Sequence, residues 1–269
     1  MAGLIRGDTV VAEAADAAAL AASRSGVVVR ELDAVAEQAD GIRLLSDIWK
    51  RSAQNPPVPP ELLRALSKAG NYVGGAFADD RLVGVAIAFH ADPERRALHS
   101  HIAGIAPEHA GRAVGFALKQ HQRAWALARG IDVIEWTFDP LVARNAHFNI
   151  TKLGAEPVEY LANFYGAIAD GVNGDDETDR LLIRWNLRGD DAVTCATGAR
   201  RPAPERRSDD ATVAVPADVE ALRRTDPASA RTWRLGVRDH LTTLLDAGGR
   251  IIGFDRDEGY LVRSGEDPR

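Results

Sequence analysis

Between Leu98 and Arg129 the chain passes from a strand-like run, through Pro107 and a turn of small residues, into one long amphipathic helix. The passage reads Ile102-Ala103-Gly104-Ile105-Ala106-Pro107-Glu108-His109-Ala110-Gly111-Arg112-Ala113-Val114-Gly115. From Gly111 onward Val114, Ala117, Leu118, His121, Trp125 and Ala128 recur at three- and four-residue steps, with Lys119, Gln120, Gln122, Arg123 and Arg129 on the other face. Gly130 supplies the stop, so the pattern predicts a helix over 111–129. A second apolar run, 131–138, follows at once. Strands joined by one helix of this length are joined by a right-handed crossover, which makes 98–105 and 131–138 adjacent and parallel.

The rest of the chain builds outward from that unit. Val27 to Leu32 is a short β-branched run, and Asp33 is placed to cap a helix reaching about Trp49. The prolines between Asn55 and Pro60 end it, and Pro60 suits the first turn of a second helix that stops at Gly70. Tyr72–Ala78 and Leu82–Phe89, joined by Asp79-Asp80, read as a hairpin. Beyond 138, a helix over 144–153, a strand near 155–160 and a strand at 181–187 complete the order β-α-α-β-β-β-α-β-α-β-β. The fold class is α/β (α+β): a mixed sheet with helices on both faces, and a small C-terminal helix-strand extension.

Four segments are expected: an N-terminal extension at 1–26, a main domain at 27–188, a linker at 189–210 and a C-terminal extension at 211–269. The Ala-rich start is interrupted by Asp8, Glu13 and Asp16, which disfavours a signal peptide and suggests a frayed or helical appendage. The linker is poor in apolar residues. In the extension Asp226-Pro227 starts a helix whose stripe is Ala230, Trp233, Val237, Leu241, Leu244 and Leu245, with Trp233 as core; two strands follow. So small a piece is expected to dock on the main domain or on a second copy in a homodimer.

Composition narrows the function classes. A net charge of −6 disfavours nucleic acid as a standing partner, and no run approaches the roughly 20 apolar residues of a membrane span. One cysteine, Cys195, leaves no intrachain disulfide and fits a reducing cytoplasm.

The chemistry concentrates around the central turn. Amides at a helix start, with the positive end of its dipole, suit phosphate oxygens; Ala110, Gly111, Ala113 and Gly115 let a ligand approach, and Arg112 adds a charge. Small residues in such a turn also serve packing alone. His99 and His101 share a strand face, where one can take a proton near neutral pH; the plain alternative is a hydrogen-bonded or surface pair. A metal site there lacks a third ligand with suitable spacing. Asp139 ends a strand and is a further candidate base, or a turn cap with Pro140. Asn145 and Asn149 either bond a ligand or satisfy the ends of the short helix. Asn163 and Tyr165 lie in a polar loop suited to lining a substrate cleft.

The order of elements, the small-residue loop and the ending Thr151-Lys152-Leu153-Gly154-Ala155 together resemble the GNAT superfamily of acyl-CoA-dependent N-acyltransferases. Trp136 to Leu141, Ala143 to Asn149 and Asn163 to Gly166, with the Trp233-Arg234-Leu235 helix, are similar to an uncharacterised bacterial branch of it. The resemblance covers about 27–263. The family loop opens on Gln or Arg and holds Gly where this chain has Ala113; here Ala110 stands first. A tyrosine that often protonates the departing thiolate in this superfamily falls at Ile150.

The resemblance implies transfer of an acyl group, acetyl first, from acetyl-CoA or another acyl-CoA to the amine of a small molecule, an amino acid among the candidates, in one ternary complex. CoA then meets Ile102, Ala103, Gly104 and Ile105, the amides of Ala110, Gly111, Arg112, Ala113, Val114 and Gly115, and Asn145 and Asn149. His101 or Asp139 is the base, and His99, Asn163 and Tyr165 line the acceptor site. A succinyl or other acidic acyl group would call on Arg144 or Arg184. The other alternative is a degenerate acyl-CoA-binding or interaction protein.

Overall fold

The computed structural model describes residues 2–166 and 176–265. Its elements are α1 (Ala2–Arg24), β1 (Val28–Glu31), α2 (Val35–Trp49), α3 (Pro60–Lys68), β2 (Tyr72–Ala78), β3 (Arg81–His90), β4 (Ala97–Ile105), α4 (Val114–Leu127), β5 (Val133–Phe138), α5 (Ala143–Ala146), β6 (Glu156–Leu161), β7 (Arg180–Asn186), α6 (Asp190–Ala196), β8 (Ala211–Val213), α7 (Val219–Thr225), α8 (Pro227–Asp246), β9 (Arg250–Asp255) and β10 (Gly259–Arg263). The order read from 27–188 is the order observed. Seven strands form a mixed sheet in the order β1-β2-β3-β4-β5-β7-β6, and β8-β10-β9 form a second, antiparallel one. The chain divides into two compact units, Met1–Glu135 with Asn186–Gly198, and Trp136–Trp185 with Ala199–Arg269.

In the first unit β1 to β4 are antiparallel neighbours. The β2–β3 turn places both Asp79 and Asp80 at positive φ, as a tight two-residue hairpin requires. Helices cover both faces. A Cβ on Gly84 would meet Leu118 and Val114 of α4, whereas the neighbouring Val85 packs on Gly41 of α2. Leu32, Leu45, Leu63, Val73, Val85 and Ile87 fill the α2/α3 side.

The N-terminal segment is a packed helix. Ala14, Ala18 and Ala21 of α1 are buried, and α1 lies against α4. This overturns the exposed polar face expected for α4: Lys119, Gln120, Gln122 and Arg123 are all buried. A row of alanines lets two helices approach closely. Arg123 donates two bonds to the Leu187 carbonyl, at 2.9 and 2.8 Å. The expected linker also carries a helix: α6 buries Ala192, Cys195 and Ala196, and Arg24 of α1 donates to the Thr197 carbonyl.

In the second unit α5 runs into a π-helical stretch, His147–Lys152, which ends at Gly154 with φ of 68°. The C-terminal segment packs here. The Tyr260 hydroxyl donates to the Pro140 carbonyl at 2.7 Å, and the Thr151 hydroxyl to the Phe254 carbonyl at 3.3 Å. Ala230, Val237 and Leu241 are buried as expected, but Trp233 is 38% exposed. Arg234 takes the central place of that stripe, fully buried against carboxylates. A guanidinium there needs anionic partners on other segments, which the helical period cannot reveal.

Candidate active site

The first unit holds the central turn and the histidines. The β3–β4 register shifts so that Ile87 faces Ile102 while Ala88 faces Ser100, leaving His101 as the extra residue of a β-bulge. A bulge re-aims side chains and breaks a ladder locally. On the other edge β4 pairs in parallel with β5 only at Ala97–Val133, Leu98–Ile134 and His99–Glu135. Among the described residues that edge pairs with no strand from Ser100 to Ile105, so its backbone donors and acceptors are available to an extended ligand.

The strand then enters a turn with Gly111 at φ 79° and Ala113 at φ 61°. The helix therefore begins at Val114, three residues later than expected, because neither residue has helical dihedrals. Among the described residues the amides of Gly111, Ala113, Val114 and Gly115 have no backbone acceptor. The orphan amides and positive helix end suit an anion. Arg112 is exposed beside them. A Cβ on Gly115 would lie 3.9 Å from Ile105, and one on Gly111 would meet nothing, so the protein leaves open space over the turn.

His99 and His101 do share a face, with ring centroids 6.2 Å apart and Phe89 at 5.0 and 5.9 Å from them. Partial burial lowers both from the usual histidine range; for His99, neighbouring His101 and Lys119 add to the lowering while Glu135 opposes it. Both imidazoles are thus neutral near pH 7, the form that accepts a proton. Beneath β4, on the α4 side, Lys119 Nζ donates to Ser100 Oγ at 2.9 Å and to Gln122 Oε1 at 3.2 Å. Burial lowers this lysine to about 7. Neither Ser100 nor Lys119 was singled out in the sequence; a lone lysine on a polar helix face gives no sign that it will be buried against a strand.

The second unit holds the remaining candidates, and it corrects one of them. Asp139 is buried and bound by Arg234 through two bonds of 2.8 and 2.9 Å, by Arg223 at 2.5 Å, and by the Leu141 amide at 2.9 Å. Burial works to raise its pKa, but the hydrogen bonds and charges of Arg234 and Arg223 outweigh it and bring the carboxyl to about 2. A carboxylate so held is a structural anion and a poor base. Asp176 shares both arginines. Arg144, the candidate anchor for an acidic acyl group, is paired with Glu220 of α7.

Asn163, at φ 45°, accepts from the Thr178 amide at 3.2 Å and pins its loop, so its side chain serves the backbone there. Tyr165 is 40% exposed, stacks edge-on with Phe164 and shares a 3.0 Å hydroxyl contact with Thr137. Among the described residues the side-chain amides of Asn145 and Asn149 make no hydrogen bond in the chain, so they do not satisfy the helix ends. Ile150 is buried and apolar, offering no acid.

Residues 40–154 match the model of the acetyltransferase (GNAT) family. No curated relative matches the sequence. Among solved structures the chain is similar to an N-acetyltransferase from Staphylococcus aureus Mu50, with 12% identity and a TM-score of 0.50 over 60% of this chain and 99% of that one. It is also similar to a GNAT-family acetyltransferase from Streptococcus pneumoniae, with 15% identity and a TM-score of 0.48 over 59% of this chain and 97% of that one. The family match spans the broken β4–β5 ladder and the open turn before α4. Residues 40–154 thus match the GNAT acetyltransferase family model, and the chain shares the fold of a solved N-acetyltransferase.

Proposed function

We propose that the acyl group is acetyl and that it passes directly from acetyl-CoA to the amine of a small molecule. The observation that carries this reading is the open edge of β4 from Ser100 to Ile105, leading into the orphan amides of Gly111, Ala113, Val114 and Gly115. The pyrophosphate binds those amides, with Arg112 beside it, and the pantetheine follows Ile102 to Ile105 as an added strand. Backbone amides of this strand polarise the thioester carbonyl.

His101 takes the proton from the attacking amine, and His99 with Phe89 forms the adjoining wall. The neutral state of both imidazoles at pH 7 supports this assignment. Tyr165 is exposed on its loop, which Asn163 holds in shape. The single cysteine fits a cytoplasmic setting.

Two variants test binding and chemistry separately. Gly115→Glu has room in the protein itself, so it is expected to fold normally and to lose acetyl-CoA binding in calorimetry, by clash and like-charge repulsion. His101→Ala is expected to keep CoA affinity and to slow thiol release with a panel of amines by roughly 100-fold or more. Wild-type-like binding by Gly115→Glu would sink the phosphate-loop assignment. Undiminished turnover in His101→Ala would remove that histidine from the chemistry.

A further inference from the structure

An acyl transfer that leaves a thiolate needs a proton at sulfur, and Ile150 supplies none. Three features of the first unit meet this need. Ser100 is the first residue of β4 beyond the β5 ladder, where the strand edge opens. Its oxygen already accepts a hydrogen bond from Lys119 Nζ, so its own hydroxyl hydrogen is directed elsewhere, and among the described residues it has no acceptor. Gln122 Nε2, in the same cluster, is buried without an acceptor among the described residues, although the side chain is fully enclosed. Buried donors of this kind are normally satisfied, so the cluster is short of an acceptor atom.

We infer that Ser100 protonates the departing CoA sulfur and that Lys119, acting through Ser100, supplies the proton. This rests on the acyl-CoA reading above. As the tetrahedral adduct collapses, the C–S bond breaks and its electron pair goes to sulfur. Ser100 Oγ–H gives its proton to sulfur and takes one from Lys119 Nζ, which becomes a neutral amine. The proton removed from the acceptor nitrogen by His101 passes to solvent, and solvent restores Lys119. The sum is acyl-CoA plus amine giving amide plus CoA thiol.

Charge around the cluster suits the role. His99 of β4 feels the charge of Lys119, and Glu135 of β5 is held by Arg95. Lys119 is the cation on the α4 side, and its depressed pKa lets it give up a proton near neutrality.

The test uses the full chain and CoA itself as probe. The thiol of bound CoA is titrated by its ultraviolet thiolate absorbance, with desulfo-CoA as blank, in wild type, Ser100→Ala and Lys119→Met. A hydrogen bond backed by a cation stabilises the thiolate, so bound CoA is expected to ionise below its free pKa. In each variant the thiolate fraction near neutral pH is expected to fall about tenfold. Should Lys119→Met fail to fold, the smaller Ser100→Ala change carries the comparison. CoA that binds all forms with one unchanged thiol pKa overturns the inference and leaves the transferase reading intact. If no form binds CoA, both fall.

Discussion

Arg234 holds Asp139 through two roughly parallel N–H···O bonds, 2.8 and 2.9 Å long, with the guanidinium 1% exposed. The pair joins α8 to the end of β5 inside one compact unit, and Arg223 and Asp176 complete the cluster. Removing one partner of such a group leaves a buried charge without compensation. Asp139→Asn is therefore expected to cost about 3–5 kcal/mol of stability, measured by urea unfolding. The pH dependence has a definite sign. The folded carboxyl titrates at about 2, below its unfolded value, so its contribution is present above the unfolded pKa and is lost as pH falls through about 2. Stability of the wild type should drop by about 2 kcal/mol across that acid range, and Asp139→Asn should lack the drop. A variant as stable as wild type, with low turnover only, would restore Asp139 as a base.

Ala113 occupies a left-handed conformation, φ 61°, at the start of α4. Its Cβ makes that conformation unfavourable, and glycine removes the penalty. Ala113→Gly should raise stability by about 1 kcal/mol, visible as a higher melting temperature, with CoA binding retained. A lower melting temperature would mean that this turn is not left-handed in solution.

The tail supplies the arginines for Asp139, Asp176 and Asp179 through Arg223, Arg234 and Arg238. Deleting 211–269 should thus give an insoluble chain or one without a cooperative unfolding transition. Point variants grade the contact. Val237→Ala is expected to cost about 2 kcal/mol, whereas Trp233→Ala, on a half-open surface, should change stability by under about 1 kcal/mol. Equal losses at both positions would contradict the burial assigned to the helix face.

Some of this architecture is dictated locally. Periodicity in 114–127, the stop at Gly130 and the paired aspartates at 79 and 80 are properties of neighbouring residues, so element order and the parallel β4–β5 pair followed from sequence. The small-residue turn was legible for the same reason, since only small side chains leave a helix start open. Pairings between distant segments were not. The period of α4 marks Lys119 and Gln122 as polar but cannot say that they will be buried, with Lys119 against Ser100 of β4. The period of α8 ranks Trp233 above Arg234 as core, yet burial of a guanidinium depends on Asp139 and Asp176 arriving from elsewhere in the chain. The β-bulge at His101 likewise arises from register with β3. Local chemistry set the elements; contacts between residues far apart in the chain decided which charges are buried, and so which groups can give or take a proton.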